Sequence, residues 1–508
     1  MKSLRHLMDI KNYNLVFFLF LFVYASFMLY LSNVLSIQID EAFSLNTSAN
    51  SLIKVLRLSY NFEGQPPVYF MVLALWRKIN DGIFFARLLS AIFTLLSAVG
   101  LEKVLRLIFE KIYTRWIIVL FLLNPFTVWA SLEIRTYSLV VLLTLTAVYF
   151  FYLIYYYNKK SHKIVFILIC IIGVYTQYYF VFLIISFSFV FLVSKGWRSF
   201  FNYILLVIPV AIFFLPNLLF IRDEYAMHQN NQVVYTIVER LKNIFYAPEQ
   251  FIFPTGELPV GRSFRWISRI FFGVLIFNAF YHFFKANTND KSKDFRSIIE
   301  ILILISSMLL IFLLVFVSSS LIYNIKYLSI IFPFLCLLCS VFCIYHSRYK
   351  NTIFGFLSLL YLLVLINSYK QPFIKTTNSK SVAHFVKEIE KPQEPILFYI
   401  KSLVLPFKNY YEGNNPLIPL PVLVFDYNYF SSDIKDTIEF DNLIRNSVKN
   451  SKSFIFISGT DLGAMNMDPL ANNVINLYFK NNYDIPIDTI MEGKYDYEFL
   501  RVRRLKKK

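Results

Sequence analysis

Long stretches without a single charge recur along this chain, separated by short segments in which lysine and arginine cluster. A helix that crosses a bilayer needs about 20 mostly apolar residues. Charge-free runs cover residues 12–39, 88–101, 116–132, 136–158, 164–194, 199–221, 270–284, 301–325, 327–347 and 351–369. The run 164–194 is too long for one crossing and has Gln177 near its middle, so it predicts two short helices. The pattern predicts eleven spans, and 11–13 once the awkward segment 66–80 is considered. That segment is apolar but short. It opens on Pro66–Pro67, which suits a helix start, and reads as an interfacial or re-entrant helix.

Basic residues in the short joins set the orientation. Lys2, Arg5 and Lys11 place the N-terminus in the cytoplasm. The joins holding Lys103 and Arg106, Lys159 and Lys160, Lys195 and Arg198, Lys291 and Lys293, and Arg348 and Lys350 then fall on the same side. With an odd number of spans the C-terminal region lies outside. The expected architecture is a mainly α, polytopic transmembrane helical bundle over residues 1–370, with outside loops 36–84 and 222–262. Residues 371–508 alternate strand-like runs (395–400, 422–427, 453–458) with helical ones (381–389, 434–448, 472–479), predicting a soluble extracytoplasmic α/β domain. The basic stretch 501–508 reads as a tail, and long domains translocate largely regardless of charge.

Composition agrees with a membrane protein. Of 508 residues, 57% are hydrophobic and 16% charged, well below the roughly 25% charged of soluble domains. A net charge of +18 invites a nucleic-acid reading, but the cations sit in short joins between apolar runs rather than on one binding face. Nucleic acid is therefore excluded as a partner, and membrane lipids are expected ones. Cys170, Cys336, Cys339 and Cys343 all lie within apolar runs and read as small buried hydrophobes.

Ionisable residues at membrane depth are expensive and mark candidate function. Three groups qualify. Asp40 and Glu41 follow the first span directly; they read either as a general base with an orienting acceptor or as an ordinary solvated helix end. Glu133, Arg135 and Tyr137 interrupt a continuous apolar stretch, where Glu133 and Arg135 either cap two helices as a salt bridge or present Arg135 to an anion. Lys326 alone divides two charge-free runs. It either snorkels to the interface or marks a phosphate site on the side where cations are scarce.

In order along the chain come Asp40-Glu41, Pro66-Pro67-Val68-Tyr69, Ala86-Arg87-Leu88-Leu89-Ser90, Asn124-Pro125, Ser131 through Tyr137, Gln177-Tyr178-Tyr179, and Lys326-Tyr327 followed by Pro333. This ordered set resembles the C-type (GT-C fold) glycosyltransferases, the group of the protein O-mannosyltransferases and the lipid A aminoarabinose transferases, over about residues 14–370. The resemblance implies transfer of a sugar from a polyprenyl-phosphate donor to a hydroxyl of a lipid, glycan or protein acceptor outside the cytoplasm, with inversion. It implies Asp40 as catalytic base, Arg135 and Lys326 on the leaving phosphate, and Glu41, Glu133 and Tyr137 as further substrate-binding residues. No cofactor is implied with certainty; a divalent metal on Asp40 and Glu41 stays open. Gln65 and Gln177 stand where the family often has His, and glutamine cannot titrate, so neither serves as acid or base here. The alternative from another class is a lipid-linked-glycan transporter or flippase without catalysis. Transporters often show paired half-repeats with helices broken at midplane, and no such repeat is visible in this sequence.

Overall fold

A computed structural model describes residues 2–109, 114–228, 293–318, 325–345, 350–420, 437–449, 451–459, 469–494 and 499–508, together with position 422 and a few isolated positions between 236 and 277. Most of the expected span 270–284, most of the loop 222–262 and the expected strand 422–427 lie outside the described residues. The helices are α1 (Lys2–Val34), α2 (Ile39–Ser48), α3 (Leu52–Asn61), α4 (Val68–Arg77), α5 (Ile83–Ile108), α6 (Thr114–Leu123), α7 (Pro125–Leu132), α8 (Tyr137–Tyr157), α9 (Lys160–Val174), α10 (Phe180–Lys195), α11 (Trp197–His228) and α12 (Lys293–Ser318). A 3₁₀ turn over Ile325–Ile330 leads into α13 (Phe332–Tyr345) and α14 (Lys350–Ser368).

Two compact units result. The first holds residues 1–33 and 65–369; the second holds 34–64 and 370–508. The expected boundary at 370 therefore has a second crossing point, because the first part of the 36–84 loop groups with the C-terminal residues.

Within the first unit, six helices are long and apolar enough to cross a membrane among the described residues. The chain is a multi-pass membrane protein. Helices α6 and α7 are an apolar pair bent by 60°, the form of a broken span or a re-entrant loop. The bend sits at Asn124-Pro125, which a hydropathy reading of 116–132 passes over. Asn124 accepts from the Phe126 amide at 2.9 Å as the cap of α7, and Pro125 occupies the first helical position, where its missing N–H costs nothing. The division of 164–194 is where Gln177 predicts it, between α9 and α10. A Cβ on Gly173 would meet the Phe180 ring at 2.4 Å, so this turn needs glycine for close approach. Helix α4, at 10 residues, is too short to span, as expected of 66–80. Helix α11 runs on to His228, past the expected start of the loop at 222.

Burial separates interior helices from lipid-facing ones. In α8, 72% of the spanning window is buried, against 11% in α11. Phe151 of α8 stacks on Phe187 of α10 at 4.2 Å. Exposed Leu205, Ile212 and Phe213 give α11 a side suited to lipid tails. Cys170 and Cys336 are buried thiols, as expected; the side chains of Cys339 and Cys343 lie outside the described residues.

The second unit carries α2, α3, α15 (Ser379–Ile389), β1 (Ile396–Tyr399), α16 (Val404–Lys408), β2 (Leu417–Leu420), α17 (Thr437–Val448), β3 (Ser453–Gly459), α18 (Pro469–Asn482), β4 (Tyr483–Glu492) and β5 (Phe499–Lys507). Five strands pair in the order β2-β1-β3-β5-β4; β1 runs parallel to β2 and β3, and β5 antiparallel to β3 and β4. Phe440, Phe454, Phe456, Phe479 and Leu505 fill its core. The basic stretch 501–508 is a correction to the reading above: most of it is β5, inside the sheet rather than a solvated tail. Its cations are used. Arg504 forms a two-pronged pair with Glu394 at 3.0 and 2.9 Å, and Arg501 does the same with Asp488 at 2.7 and 2.6 Å. Burial pushes the Arg503 guanidinium down to about 10.

Candidate functional site

The carboxylates belong to the second unit. Helix α2 starts at Ile39, so Asp40 and Glu41 occupy its first turn, where unpaired amides and the helix dipole favour negative charge. Gln38 and Glu41 form a reciprocal capping box, with the Gln38 amide donating to Glu41 Oε2 at 3.1 Å. The same oxygen takes the Lys375 ammonium at 2.9 Å, and both side chains are buried. Adjacent residues on a helix do not share a face. Asp40 is accordingly half-exposed while Glu41 has no exposure at all. Glu41, expected to orient substrate or hold a metal, is fully buried and held by Lys375 and by its own helix cap. Further along α2, Thr47 donates to buried Glu63 at 3.0 Å.

The cations belong to the first unit. The joint that follows the bent pair α6–α7 is buried instead of solvated. Glu133 is fully buried, Arg135 is 6% exposed and Tyr137 4%. Ser90 of α5 donates to the Glu133 carbonyl at 2.7 Å, which fixes the joint from the side. Arg87, fully buried one turn earlier, donates to the Ser32 carbonyl at 3.2 Å. Trp129 lies 4.9 Å from the Tyr137 ring, and the half-exposed Lys326 ammonium sits 5.7 Å over Trp129 as a cation–π contact. The structure thus brings Lys326 and Tyr137 together on one indole.

Neighbouring segments converge on the same place. Tyr179 and Tyr327 pack at 5.2 Å, and Ser329 donates to the Gln177 side chain at 3.4 Å. The Val68 amide donates to the Tyr175 carbonyl at 3.0 Å, tying the Pro66-Pro67 segment to the α9–α10 turn. Motifs spread over residues 66–179 and 326–329 are therefore contiguous in space within this unit. Among the described residues no group of three or more His, Cys, Asp or Glu side chains could hold a metal ion.

Sequence reasoning gave no role to Lys375, Arg87 or Glu300. Lys375 carries no local signal, because its partner lies 334 positions away; Arg87 and Glu300 were visible as lone charges bordering apolar runs. Glu300, on α12, is 1% exposed.

No protein-family model matches this chain, and no curated protein sequence matches it either. Solved structures do. ArnT from Cupriavidus metallidurans in the apo state superimposes with a TM-score of 0.59 at 12% identity, over 97% of this chain and 98% of that one. The same protein bound to undecaprenyl phosphate gives 0.50 at 11%, over 96% and 97%. The Archaeoglobus fulgidus oligosaccharyltransferase gives 0.49 at 11%, over 89% of this chain and 68% of that one. Identities this low speak for the fold. The chain has the GT-C-like membrane fold, a polytopic helical bundle followed by a small sheet domain.

Proposed function

We propose that this protein is an integral membrane glycosyltransferase that moves a sugar from a polyprenyl-phosphate donor to an acceptor hydroxyl on the non-cytoplasmic face, with inversion. The observation that carries the reading is the split between its two adjacent acids: Glu41 is buried and held on Lys375, whereas Asp40 stays half-exposed beside it. A full-length likeness to an ArnT structure solved with undecaprenyl phosphate supports a lipid-phosphate carrier as donor. A solvated helix end would not require a fully buried acid and a paired lysine next to its outermost carboxylate.

In this mechanism Asp40 takes the proton of the acceptor hydroxyl as its oxygen attacks the anomeric carbon. The bond from that carbon to the phosphate oxygen breaks, and the polyprenyl phosphate leaves with the electron pair. Attack from the face opposite the leaving group inverts the anomeric centre. A phosphate needs no general acid to leave. It needs cations, which Arg135 and Lys326 supply, the guanidinium matching two phosphate oxygens at once. Glu133 and Tyr137 serve as further substrate-binding residues. Glu41 acts on Asp40 rather than on substrate. The acceptor is a lipid, glycan or protein hydroxyl, and the positive-inside pattern puts the N-terminus in the cytoplasm and the second unit outside.

The test is Asp40→Asn in proteoliposomes supplied with polyprenyl-phosphate sugars. Transfer falls by about 10²-fold or more, as for loss of a general base, while donor binding and membrane insertion are retained. Near-normal turnover in this variant would sink the assignment.

A further inference from the structure

We infer that Lys375 and Tyr410 are positioning residues for Asp40, so that the C-terminal domain aims the base; the inference rests on the reading of Asp40 given above. Four backbone or side-chain positions around Asp40 are held from far along the chain or by the same carboxylate. The Ser36 amide donates to the Phe373 carbonyl at 3.1 Å, and the Lys375 amide donates to the Ser36 hydroxyl at 3.2 Å. The Ile37 amide donates to the Tyr410 hydroxyl at 2.8 Å. The Lys375 ammonium meets Glu41 Oε2 at 2.9 Å, and that oxygen also takes the Gln38 amide. Helix α16 packs against α2. Residues 36, 37, 38 and 41 are thus tethered, and Asp40 lies between the tethers.

Such a clamp matters because a catalytic group must be held to within about half an ångström, and a misplacement of about 1 Å costs on the order of 100-fold in rate. The ammonium has a second effect. Without it Glu41 would be a buried anion stripped of its counter-ion next to the base, and relief by protonation or by movement of α2 would alter the surroundings of Asp40. Lys375 touches no reacting atom in this scheme. Its contribution passes entirely through Glu41 and the Ser36–Gln38 backbone.

The experiment compares Lys375→Met, Lys375→Arg, Tyr410→Phe and the double variant Glu41→Gln/Lys375→Met with Asp40→Asn. All are full-length protein in proteoliposomes, assayed with radiolabelled polyprenyl-phosphate sugars and envelope acceptor from the source cells. Hydrogen exchange of residues 36–44 is read alongside. K375M lowers kcat by about 100-fold with the donor KM within about twofold, K375R recovers most of it, and exchange over 36–44 accelerates in K375M and Y410F while strands β3 and β5 stay protected. If K375M does not fold, the double variant, which removes both charges, keeps the comparison available, and its kcat falls likewise. Unchanged kcat in K375M or in the double variant, with D40N inactive, overturns the clamp and leaves the base standing. An active D40N overturns the base assignment, and the clamp's purpose goes with it.

Discussion

Replacing Glu394 by Gln tests how the second unit is held together. Glu394 is 3% exposed and accepts two charge-assisted bonds from Arg504, at 3.0 and 2.9 Å, one from the Ser453 hydroxyl at 2.5 Å and one from the Lys391 amide at 3.0 Å. Every acceptor position of the carboxylate is in use, and the pair links the β1 approach to strands β3 and β5. A glutamine keeps the size but leaves Arg504 as a buried cation without its counter-ion. Breaking one side of such a pair costs about 3–5 kcal/mol. At 1.36 kcal/mol per tenfold, global opening of the sheet becomes about 160- to 5,000-fold more frequent. Hydrogen exchange is the suitable assay, because peptides over Phe454–Ser458 and Val502–Leu505 report this unit apart from the membrane helices. The double variant Glu394→Leu/Arg504→Met removes both charges and restores most of the protection, since buried pairs exchange well for apolar groups of similar volume. Acceleration below about fivefold in E394Q, or equal opening in the double variant, would refute the reasoning.

Three further outcomes are expected. Arg135→Ala and Lys326→Ala each weaken binding of a polyprenyl phosphate by about 10-fold or more, measured on vesicle-reconstituted protein; unchanged affinity in both would make these cations purely structural. Asn124→Ala removes both the cap of α7 and a 2.9 Å bond to the Phe251 carbonyl, and lowers stability in detergent by about 1–3 kcal/mol, while an unaltered melting temperature would remove the bend's dependence on this side chain. The Arg501 guanidinium holds the Asp488 carboxyl below its ordinary 3.8, so its contribution is present above that value and is lost as pH falls through the lower, folded one. Asp488→Asn therefore destabilises the second unit at pH 6 by an amount that shrinks as the pH is lowered below 3.8, and a deficit that does not change with pH would contradict the pairing.

Much of the membrane unit was legible because its signals are local. A charge-free run reports a span wherever it occurs, and Gln177 marked the break between α9 and α10 because a polar amide in mid-run has to meet a partner, here Ser329. The bend at Asn124-Pro125 was readable only as a motif, since hydropathy does not register a cap. In the second unit, β1, β3 and the helices α15 and α17 matched runs with clear periodicity. Strand β5 did not, because Arg501, Arg503 and Arg504 look solvated until Asp488 and Glu394 are found opposite them. The candidate site divided the same way. Asp40, Arg135 and Lys326 stood out by position at span ends, whereas the partner of Glu41 lay 334 residues off and left no trace in spacing.

Chain synthesis gives the Lys375 tether a consequence in time. Residues 36–41 emerge from the ribosome long before the groups that hold them, with separations of 339 between Ser36 and Lys375 and 373 between Ile37 and Tyr410. Contacts of such range form late, after most of the loop-closure entropy has been overcome. Lys375 follows Ser368, the last residue of α14, by only seven positions, so it becomes available once the final described span has been made. A chain stalled or misinserted earlier carries Asp40 on an unsecured segment. On the reading proposed for Asp40, its clamp cannot close before the last described span and the residues through Tyr410 have been made.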